Sequence, residues 1–361
     1  MEIFYDTEEC PPPGPGAVVT IGAYDGVHLG HRAVIAEVMD LARERGEIST
    51  VVTFDRHPAQ VIRPDSAPRL LTDLAQKLEL LEATGIDRVF VVHFDTARAA
   101  ESAEDFVRSV LVDCLDTHQI VVGEDFHFGH LRRGNVALLE EMGAELGFSV
   151  HGHKLVGPDG LAARDDAQVS STAIRRAIHE GRTADANHML GRPHEMRGVV
   201  VPGDQRGRTM GFPTANVAVQ TEMLMPADGI YAGWIQALPA LPTDPVLPTD
   251  PAVPTALTNL AVLESEGPAG SGTGAADGSL AKPWPAAIYV GKRPTFYDSE
   301  AMTLLEVNIL DFDGDVYGQR VAVRFTDRIR PDFKFTSVED LIAQLQADCD
   351  RARELLGGPR Y

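Results

Sequence analysis

Two histidines three residues apart, His28 and His31, form the pair whose spacing most clearly indicates chemistry. They follow a short apolar run and a turn that opens with Gly22 and contains Asp25, and apolar residues recur at helical spacing after them. Free N–H groups at a helix N-terminus attract phosphate, and residues i and i+3 share one face of a helix. The order strand, turn, helix therefore predicts that both imidazoles bind one anion, with Gly30 leaving room for a nucleotide to approach the backbone. Gly22, Asp25 and Gly30 are expected to bind ATP at this turn.

This stretch resembles the opening motif of the bacterial bifunctional riboflavin kinase/FMN adenylyltransferase family (FAD synthetase), which reads close to GxFDGVHxGH. Tyr24 stands here where that motif has phenylalanine. A bare HxGH pattern more often marks two surface histidines, but the strand before it and the Asp-Gly turn within it favour a nucleotide site. The resemblance implies attack of an FMN phosphate oxygen on the α-phosphorus of ATP, with His28 and His31 stabilising the charge that builds on that phosphate.

Two later segments occur where the first domain of that family would have them. TFDRHP, residues 53–58, reads by itself as a strand end broken by proline, and the family usually has proline at the position of Arg56. GEDFHFG, residues 123–129, has two glycines that allow close approach of the backbone and aromatic rings that could line the site of a planar ring. A packed strand-to-helix loop is the alternative for this second segment. The residues expected to bind flavin here are Asp125, Phe126 and Phe128.

The segment VSSTAIRR, residues 169–176, opens a predicted helix. A serine N-cap alone explains one serine, but three hydroxyls followed by two arginines suit the oxygens of a triphosphate. The segment resembles the ISSTxIR motif of the same family. That resemblance implies that Ser171 and Thr172 donate hydrogen bonds to the pyrophosphate leaving group and that Arg175 holds the β- and γ-phosphate oxygens. The sequence does not reveal protein ligands for Mg²⁺ in this half of the chain.

A second candidate for phosphate chemistry is GDQRGRTMGFPTAN, residues 203–216. It lacks the GK[ST] ending of a Walker A loop, so a plain Gly-rich loop is the alternative to a phosphate-covering one. In an extended segment Thr214 and Asn216 share a face, and a hydroxyl beside an amide oxygen suits Mg²⁺. GFPTAN matches the riboflavin kinase motif almost letter for letter. The residues of the loop expected to bind ATP phosphates are Gly203, Arg206, Gly207, Arg208 and Gly211.

Alternation over residues 303–310 places Glu306 on the face opposite the apolar residues of a predicted strand. By pattern alone this glutamate faces solvent, whereas the resemblance implies the catalytic base that accepts the proton of the terminal ribityl hydroxyl of riboflavin. The segment GKRPTF, residues 291–296, resembles the GTxPTF motif of the family with Lys292 at a position that is commonly small and polar. Its Phe296 is expected to contact the flavin.

The acidic segment DFDGD, residues 311–315, invites comparison with a calcium loop. Position twelve of such a loop would be Ala322, where a bidentate glutamate is needed, so calcium is excluded. Asp-Gly between two predicted strands indicates a hairpin turn instead.

Composition bounds the class of protein. A chain of 361 residues that is 44% hydrophobic is long enough for about two domains, and a net charge of −21 argues against nucleic-acid or anionic-membrane partners. Cys10, Cys114 and Cys349 form no CxxC pair, which argues against zinc and against a disulfide framework. The first residues do not form a signal peptide, and no apolar run is long enough to span a membrane. We therefore expect a cytoplasmic protein.

Residues 17 to about 187 alternate apolar runs with helical patterns, which predicts βαβ units and a parallel sheet covered on both faces. Such sheets bind ligands beyond the carboxyl ends of their strands, where the histidine turn lies. The predicted strands cover residues 18–21, 49–54, 88–93, 119–123 and 148–155. The predicted helices cover residues 31–45, 73–84, 103–111, 135–146 and 171–180.

From about residue 188 short strand-like runs dominate before one closing helix, which predicts a small antiparallel barrel. The predicted strands cover residues 196–201, 215–219, 229–234, 286–290, 303–311 and 319–325, and the helix covers 337–356. With the resemblance, the expected fold is an α/β, Rossmann-like nucleotidyltransferase domain over residues 1–187. A mainly β, riboflavin kinase-like barrel domain with a terminal helix is expected over 188–361.

A low-complexity segment at about 238–285 interrupts the second domain. LPTDP occurs at 241–245 and again at 247–251, and a Gly/Ala/Ser-rich tract follows. Repeated prolines favour extended chain, and Gly/Ser tracts are flexible. The segment is therefore expected to be a solvated insertion in a barrel loop, with a proline-rich docking site as the alternative.

The resemblance covers nearly the whole chain outside this insertion and implies two activities. Riboflavin would be phosphorylated to FMN in the second domain, and FMN would be adenylylated to FAD in the first, with release of pyrophosphate. Riboflavin, FMN and ATP would be the small-molecule substrates and Mg²⁺ the cofactor. Two alternatives are a nucleotidyltransferase of another substrate class, which GFPTAN argues against, and a flavin-sensing module with a decayed kinase half. The intact Thr214, Asn216 and Glu306 argue against the second.

Overall fold

A computed structural model describes residues 1–153, 169–203, 211–239, 280–291 and 302–357 of the protein. The chain divides into two compact units. The first comprises Met1–His194 with the short piece Glu222–Met225, and the second comprises Glu195–Thr221 and the chain from Pro226 onward. None of the described helices is both long and apolar enough to cross a membrane.

The first unit is built on a parallel six-stranded sheet in the order β1-β4-β3-β2-β5-β8, as the alternating pattern predicts. Its strands are β1 (Glu2–Tyr5), β2 (Ala17–Ile21), β3 (Ile48–Phe54), β4 (Arg88–Val92), β5 (Thr117–Gly123) and β8 (Ser149–His153). A short hairpin is formed by β6 (His127–Phe128) and β7 (Gly134–Asn135). The predicted strands lie within a few residues of the observed ones, and residues 154 and 155 of the last prediction fall outside the described part.

Helices connect these strands. They are α1 (Leu29–Arg45), α2 (Pro58–Ile62), α3 (Leu74–Glu82), α4 (Thr96–Ala100), α5 (Ala103–Phe106), α6 (Val136–Leu146), α7 (Ser171–His179) and α8 (Thr183–Leu190). The helix predicted over 103–111 is divided, because α5 continues as a π-helical segment, Val107–Cys114. Short 3₁₀ turns occur at Thr7–Glu9, Pro64–Ser66 and His130–Arg132.

Alternate residues of the central strands enter two separate cores. Val19 and Phe90 belong to the cluster on one face of the sheet, and Val18 and Val51 belong to the cluster on the other face with Ile35 of α1. A strand that is buried on both faces reads as a continuous apolar run rather than an alternating one. This explains why 18–21 and 49–54 stand out in the sequence.

Cys10 and Cys114 form a disulfide bond, which corrects the expectation drawn from cysteine spacing. Their Cα atoms lie 5.2 Å apart although 104 residues separate them in the chain. Cys10 follows the first 3₁₀ turn and Cys114 ends the π-helical segment. The spacing of the cysteines along the sequence does not reveal that Cys10 and Cys114 are close together, because it is the folding of the sheet that brings their segments together.

The second unit is a closed antiparallel barrel in the order β10-β13-β12-β11-β14-β9, as predicted. The strands are β9 (His194–Val201), β10 (Ala215–Gln220), β11 (Gly229–Ala237), β12 (Trp284–Val290), β13 (Met302–Ile309) and β14 (Arg320–Pro331). The terminal helix α9 (Val338–Gly357) packs Cys349, Ala352 and Leu356 onto Ala232 and Ala287 of the barrel.

The acidic segment at residues 311–315 connects β13 to β14, and the prediction of a hairpin turn there is wrong. In the barrel β13 lies between β10 and β12, whereas β14 lies between β11 and β9, so the two strands are not neighbours. Asp311 is instead bound by Arg353 of α9, with Nη2 2.8 Å from the carboxylate. The Asp-Gly pattern gives a turn but does not reveal which strand the chain joins next.

The low-complexity segment leaves and re-enters the barrel at one place. The backbone N–H of Ala237, the last residue of β11, donates to the carbonyl of Leu280 at 2.9 Å, shortly before β12 begins. Residues 240–279 lie outside the described part of the chain. The segment therefore occupies the position of a hairpin connection between two paired strands.

Candidate active sites

His28 and His31 meet at the start of α1 in the first unit. His28 is the N-cap residue, and its Nδ1 accepts a hydrogen bond of 3.2 Å from the backbone N–H of His31. The two rings stack with centroids 3.6 Å apart. Because Nδ1 is an acceptor, the neutral His28 ring carries its hydrogen on Nε2. The predicted histidine pair is thus brought together beside free N–H groups of a helix terminus.

Both histidines are held neutral. Burial, with the positive charges of Arg192 and Arg175, lowers the pKa of His28 to about 3. Burial, His28, Lys77 and the same two arginines lower the pKa of His31 well below its usual value. At neutral pH this pair therefore presents N–H donors and ring nitrogens in a field set by nearby cations, not two imidazolium ions.

Asp25 organises the turn before α1. The carboxylate is buried and accepts hydrogen bonds of 3.0 Å from the backbone N–H groups of Leu71 and Thr72. It also pairs with Nη2 of Arg175 at 2.5 Å, and the Nε of that arginine donates to the carbonyl of Arg69 at 2.8 Å. The predicted phosphate arginine is therefore fixed in place by a residue of the histidine turn, 150 positions away in the sequence.

The hydroxyls of α7 have different surroundings. Ser170 is the N-cap, and Ser171 donates to the backbone carbonyl of Asp25 at 2.9 Å. Thr172 is exposed. Ser171 thus joins Arg175 in tying α7 to the histidine turn, whereas Thr172 lies at the surface.

The glycines of the turn allow close packing. A Cβ on Gly30 would stand 3.2 Å from the His28 ring, and one on Gly22 would stand 3.1 Å from the Tyr24 ring. Tyr24 itself has φ of 49°, and its hydroxyl lies 2.7 Å from Oγ1 of Thr20. A buried partner for the hydroxyl explains how tyrosine fits where the resembling motif has phenylalanine.

Two cations at this site have no local signal in the sequence. Arg192 lies beyond α8 and donates from Nη2 to the carbonyl of Gly26 at 2.6 Å. Lys77 lies within α3 and is buried against the turn. In the sequence Arg192 is one charged residue in a polar stretch and Lys77 is one charged residue of an amphipathic helix, and only the tertiary fold brings them to the histidines.

A cavity of about 770 Å³ opens beyond the carboxyl ends of β2 to β5. Gly22 and Ala23 line one side, and the aromatic lining residues are Phe54, Phe94, Phe106, Phe126 and Phe128. Phe126 and Phe128 are stacked with centroids 5.4 Å apart. Asp125 is exposed and is not among the lining residues. The position is the one expected for ligands of a parallel sheet.

In the barrel, three polar side chains form a row across adjacent strands. Asn216 of β10 is in register with Glu306 of β13, and Glu306 is in register with Tyr289 of β12. Residues opposite one another on paired strands share a face of the sheet. Leu305 and Val307 are buried on the other face of β13, as the alternation predicts.

Gly203 lies against Asn216 at the end of this row. A Cβ at position 203 would stand 2.0 Å from the Asn216 amide nitrogen, so only glycine leaves space beside this buried side chain. Thr214 is half-buried just before β10, and Gly211 has φ of 84°. Four expected ligands, Arg206, Gly207, Arg208 and Phe296, lie outside the described residues, as does Lys292.

Comparison with known proteins covers both units. A family model described as FAD synthetase matches residues 11–173, and one described as riboflavin kinase matches residues 190–356. A bifunctional riboflavin kinase/FMN adenylyltransferase of Escherichia coli (strain K12) is 34% identical over 345 residues, which is 96% of this chain and 94% of the relative. A Pseudomonas fluorescens protein of the same name is 32% identical over 98% of both chains. A crystal structure described as macrolide-efflux protein from Streptococcus pneumoniae gives a TM-score of 0.74 at 26% identity, over 98% of this chain and 99% of the other.

Proposed function

The chain belongs to the bifunctional riboflavin kinase/FMN adenylyltransferase family, and on that premise we propose which residues carry each of its two reactions. It phosphorylates riboflavin to FMN with ATP and then transfers AMP from a second ATP to FMN, giving FAD and pyrophosphate. The first unit has the adenylyltransferase site and the barrel has the kinase site. The comparisons do not favour the alternatives of another nucleotidyltransferase or a flavin sensor.

In adenylyl transfer an FMN phosphate oxygen forms a bond to the α-phosphorus of ATP as the bond to the pyrophosphate oxygen breaks. No covalent intermediate with the protein is needed, so positioning and charge stabilisation supply the catalysis. We propose that Nε2–H of His28, His31 and the N-terminus of α1 together stabilise the negative charge that builds on the α-phosphate. The observation that carries this assignment is the stacked, neutral histidine pair at that terminus.

Arg175 is proposed to hold the β- and γ-phosphates, with the exposed Thr172 hydroxyl beside it. Asp25 and the carbonyl of Arg69 fix its guanidinium before ATP arrives. Ser171 serves mainly by holding the turn through its bond to Asp25. Pre-oriented donors lower the cost of organising the triphosphate in the transition state.

The aromatic cavity is proposed to hold the isoalloxazine ring of FMN. A volume of about 770 Å³ is within the range of small-molecule sites, and the phenylalanine side chains offer flat apolar surfaces for a planar ring system. Phe126 and Phe128 are assigned to this contact. Gly22 and Ala23 line the cavity and precede the histidine turn, so a ring in the cavity directs its phosphate toward His28.

Riboflavin phosphorylation is assigned to the barrel row. Glu306 accepts the proton of the terminal ribityl hydroxyl as the hydroxyl oxygen forms a bond to the γ-phosphorus of ATP, while the bond from that phosphorus to the bridging oxygen breaks and ADP leaves. The Thr214 hydroxyl and the Asn216 amide oxygen are proposed to hold Mg²⁺, because a hydroxyl and an amide oxygen are ligands that this ion accepts, and the close contact with Gly203 holds the amide in place. Among the described residues no cluster of three or more His, Cys, Asp or Glu could hold a metal, so Mg²⁺ would bind to neutral oxygens and substrate phosphates together. When bound, the ion neutralises phosphate charge.

Both reactions consume ATP, and we propose that the enzyme acts in the cytoplasm. Its net charge of −21 opposes nonspecific binding to nucleic acid or anionic lipid. The proposed partners are the small substrates alone.

A time course with riboflavin, ATP and Mg²⁺, with FMN and FAD separated chromatographically, tests the division of labour. His28→Ala should abolish FAD formation and leave FMN formation intact. His188→Ala, an exposed histidine on α8, is the matched control and should change neither. Loss of both products in folded His28→Ala protein would refute the two-site assignment.

A further inference from the structure

Lys77 is a buried cation that the proposed reaction does not yet use. It lies in α3 and is 7% exposed. Its Nζ donates to the carbonyl of Phe54 at 2.7 Å, to the carbonyl of Ala23 at 3.2 Å and to Oγ1 of Thr53 at 3.3 Å. All three hydrogens of the ammonium group therefore have acceptors, and all three acceptors are uncharged.

The acceptors of Lys77 belong to two neighbouring strand ends. Ala23 follows β2, whereas Thr53 and Phe54 close β3, and Oγ1 of Thr53 also donates to the carbonyl of Ala23 at 3.2 Å. Ala23 and Phe54 both line the aromatic cavity. The ammonium group thus joins the histidine turn to the next strand at the point where the flavin cavity begins.

Within the part of the chain that the structure describes, no carboxylate is hydrogen-bonded to the Lys77 ammonium group. A buried ion whose partners are all neutral is costly, and its usual compensation is a nearby opposite charge. Burial lowers the pKa of Lys77 to about 8, and the charges of Asp25 and Asp55 oppose that shift. Lys77 in turn lowers the pKa of His31 and of His57. Its field therefore extends to the helix terminus where phosphate is expected.

We propose that Lys77 is a positioning residue for adenylyl transfer: it fixes the turn at Ala23 against β3 and supplies positive potential beneath the α-phosphate of ATP. This inference rests on the proposed adenylyltransferase site. The buried cation is compensated when the anionic substrate binds, and the hydrogen bonds to the strand ends keep His28 and His31 in register with the cavity.

The charged and titratable groups around Lys77 come from four elements. Asp25 lies in the turn after β2, Asp55 after β3, His31 in α1 and His57 at the start of α2. Both histidines have a lowered pKa, so they do not titrate above pH 7. A loss of kcat/KM for FAD formation as the pH rises through about 8 therefore reports deprotonation of Lys77.

The test compares wild type, Lys77→Met and the control Lys282→Met, an exposed lysine of the second unit. With FMN supplied, Lys77→Met should lower kcat/KM for FAD formation at pH 7 by about 10- to 100-fold, as expected for a misplaced site. The variant should also lack the decline above pH 8. FMN formation from riboflavin in the same protein should match wild type, and Lys282→Met should be unchanged in both assays.

Wild-type rates of FAD formation by folded Lys77→Met, or an unchanged decline above pH 8 in that variant, would overturn the inference. If Lys77→Met does not fold, the pH dependence of the wild-type enzyme still tests the inference. A kcat/KM for FAD formation that stays constant from pH 7 to 9.5 would refute the role of the Lys77 charge. Failure of His28→Ala to stop FAD formation would instead refute the site assignment itself, so the two failures are distinguishable.

Discussion

Asn216 and Glu306 stand directly opposite each other on the antiparallel strands β10 and β13. Side chains at such paired positions lie on one face, with Cβ atoms about 5 Å apart. The amide proposed to bind the metal–phosphate group and the carboxylate proposed to accept the proton are therefore close enough to act on one γ-phosphate. This register ties the assigned metal ligand and the assigned base into one unit that a strand slip would destroy.

Glu306→Gln should lower FMN formation by about 10²-fold or more, because the amide cannot accept the hydroxyl proton while the strand packing is kept. FAD formation from supplied FMN should persist. Glu339→Gln, an exposed glutamate of α9, is the matched control. Chromatographic assay of both products measures the effect, and wild-type FMN production by folded Glu306→Gln would remove this residue from the mechanism.

The first unit should lose stability as the pH falls below about 6.5. The pKa of His28 is about 3 in the folded protein and near its ordinary value when unfolded, so between these values the unfolded state binds the extra proton. At pH 5 this linkage lowers the free energy of unfolding by about 2 kcal/mol relative to pH 7.5. His31 acts in the same direction.

Urea unfolding followed by far-UV circular dichroism at both pH values measures this loss. His28→Asn retains a residue that can cap α1 and should reduce the dependence on pH. The barrel is an internal control, because 11 of the 12 histidines precede its first strand β9, which opens with His194, while both tryptophans, Trp234 and Trp284, lie in the second unit. If the free energy of unfolding changed equally between the two pH values in wild type and in His28→Asn, the prediction would be contradicted.

Asp348→Ala should destabilise the barrel by about 3–5 kcal/mol, because it leaves the half-buried guanidinium of Arg330, whose side chain is 13% exposed, without its carboxylate partner. The Asp348 carboxylate is 2% exposed and accepts from Nε and Nη2 of Arg330 at 2.9 and 2.7 Å. Asp350→Ala, on the exposed side of α9, should cost less than about 1 kcal/mol. Tryptophan fluorescence during urea unfolding reports the difference, and equal midpoints for the two variants would show that the ion pair adds nothing.

Replacing residues 240–279 with a four-residue Gly/Ser linker should preserve the barrel. The hydrogen bond between Ala237 and Leu280 fixes the two ends of the connection. Because the entropic cost of closing a loop grows with its length, a tenfold shorter connection should raise the free energy of unfolding by about 2 kcal/mol. FAD formation should be unchanged and FMN formation should fall by less than about tenfold. A larger loss of FMN formation with an unchanged fluorescence transition would show that the segment takes part in the kinase reaction.

Local patterns predicted the α/β first unit and the barrel of the second, because strands buried on both faces, helical periodicity and a glycine turn leave signals within a few residues. The turn that carries His28 and His31 was located in this way, whereas Glu306 was singled out by the family resemblance, and the roles of all three residues stay predictions. The four-residue edge strand β1 was too short to give a signal, and the Asp25–Arg175 pair and the Cys10–Cys114 bond join segments more than 100 residues apart. Lys77 gave no local signal either, because burial and its partners at Ala23 and Phe54 arise only when the sheet is assembled.

The adjacency of Ala237 and Leu280 makes this position a fusion point on the barrel. A domain whose own termini lie close together can be inserted between these residues without breaking the pairing of β11 with β12. A fluorescent reporter or affinity module inserted there would be attached to the kinase unit, and neither end of the polypeptide would have to be modified. An internal attachment site is useful in this protein because β1, at the start of the chain, pairs with β4, so a module fused there would lie next to a sheet strand.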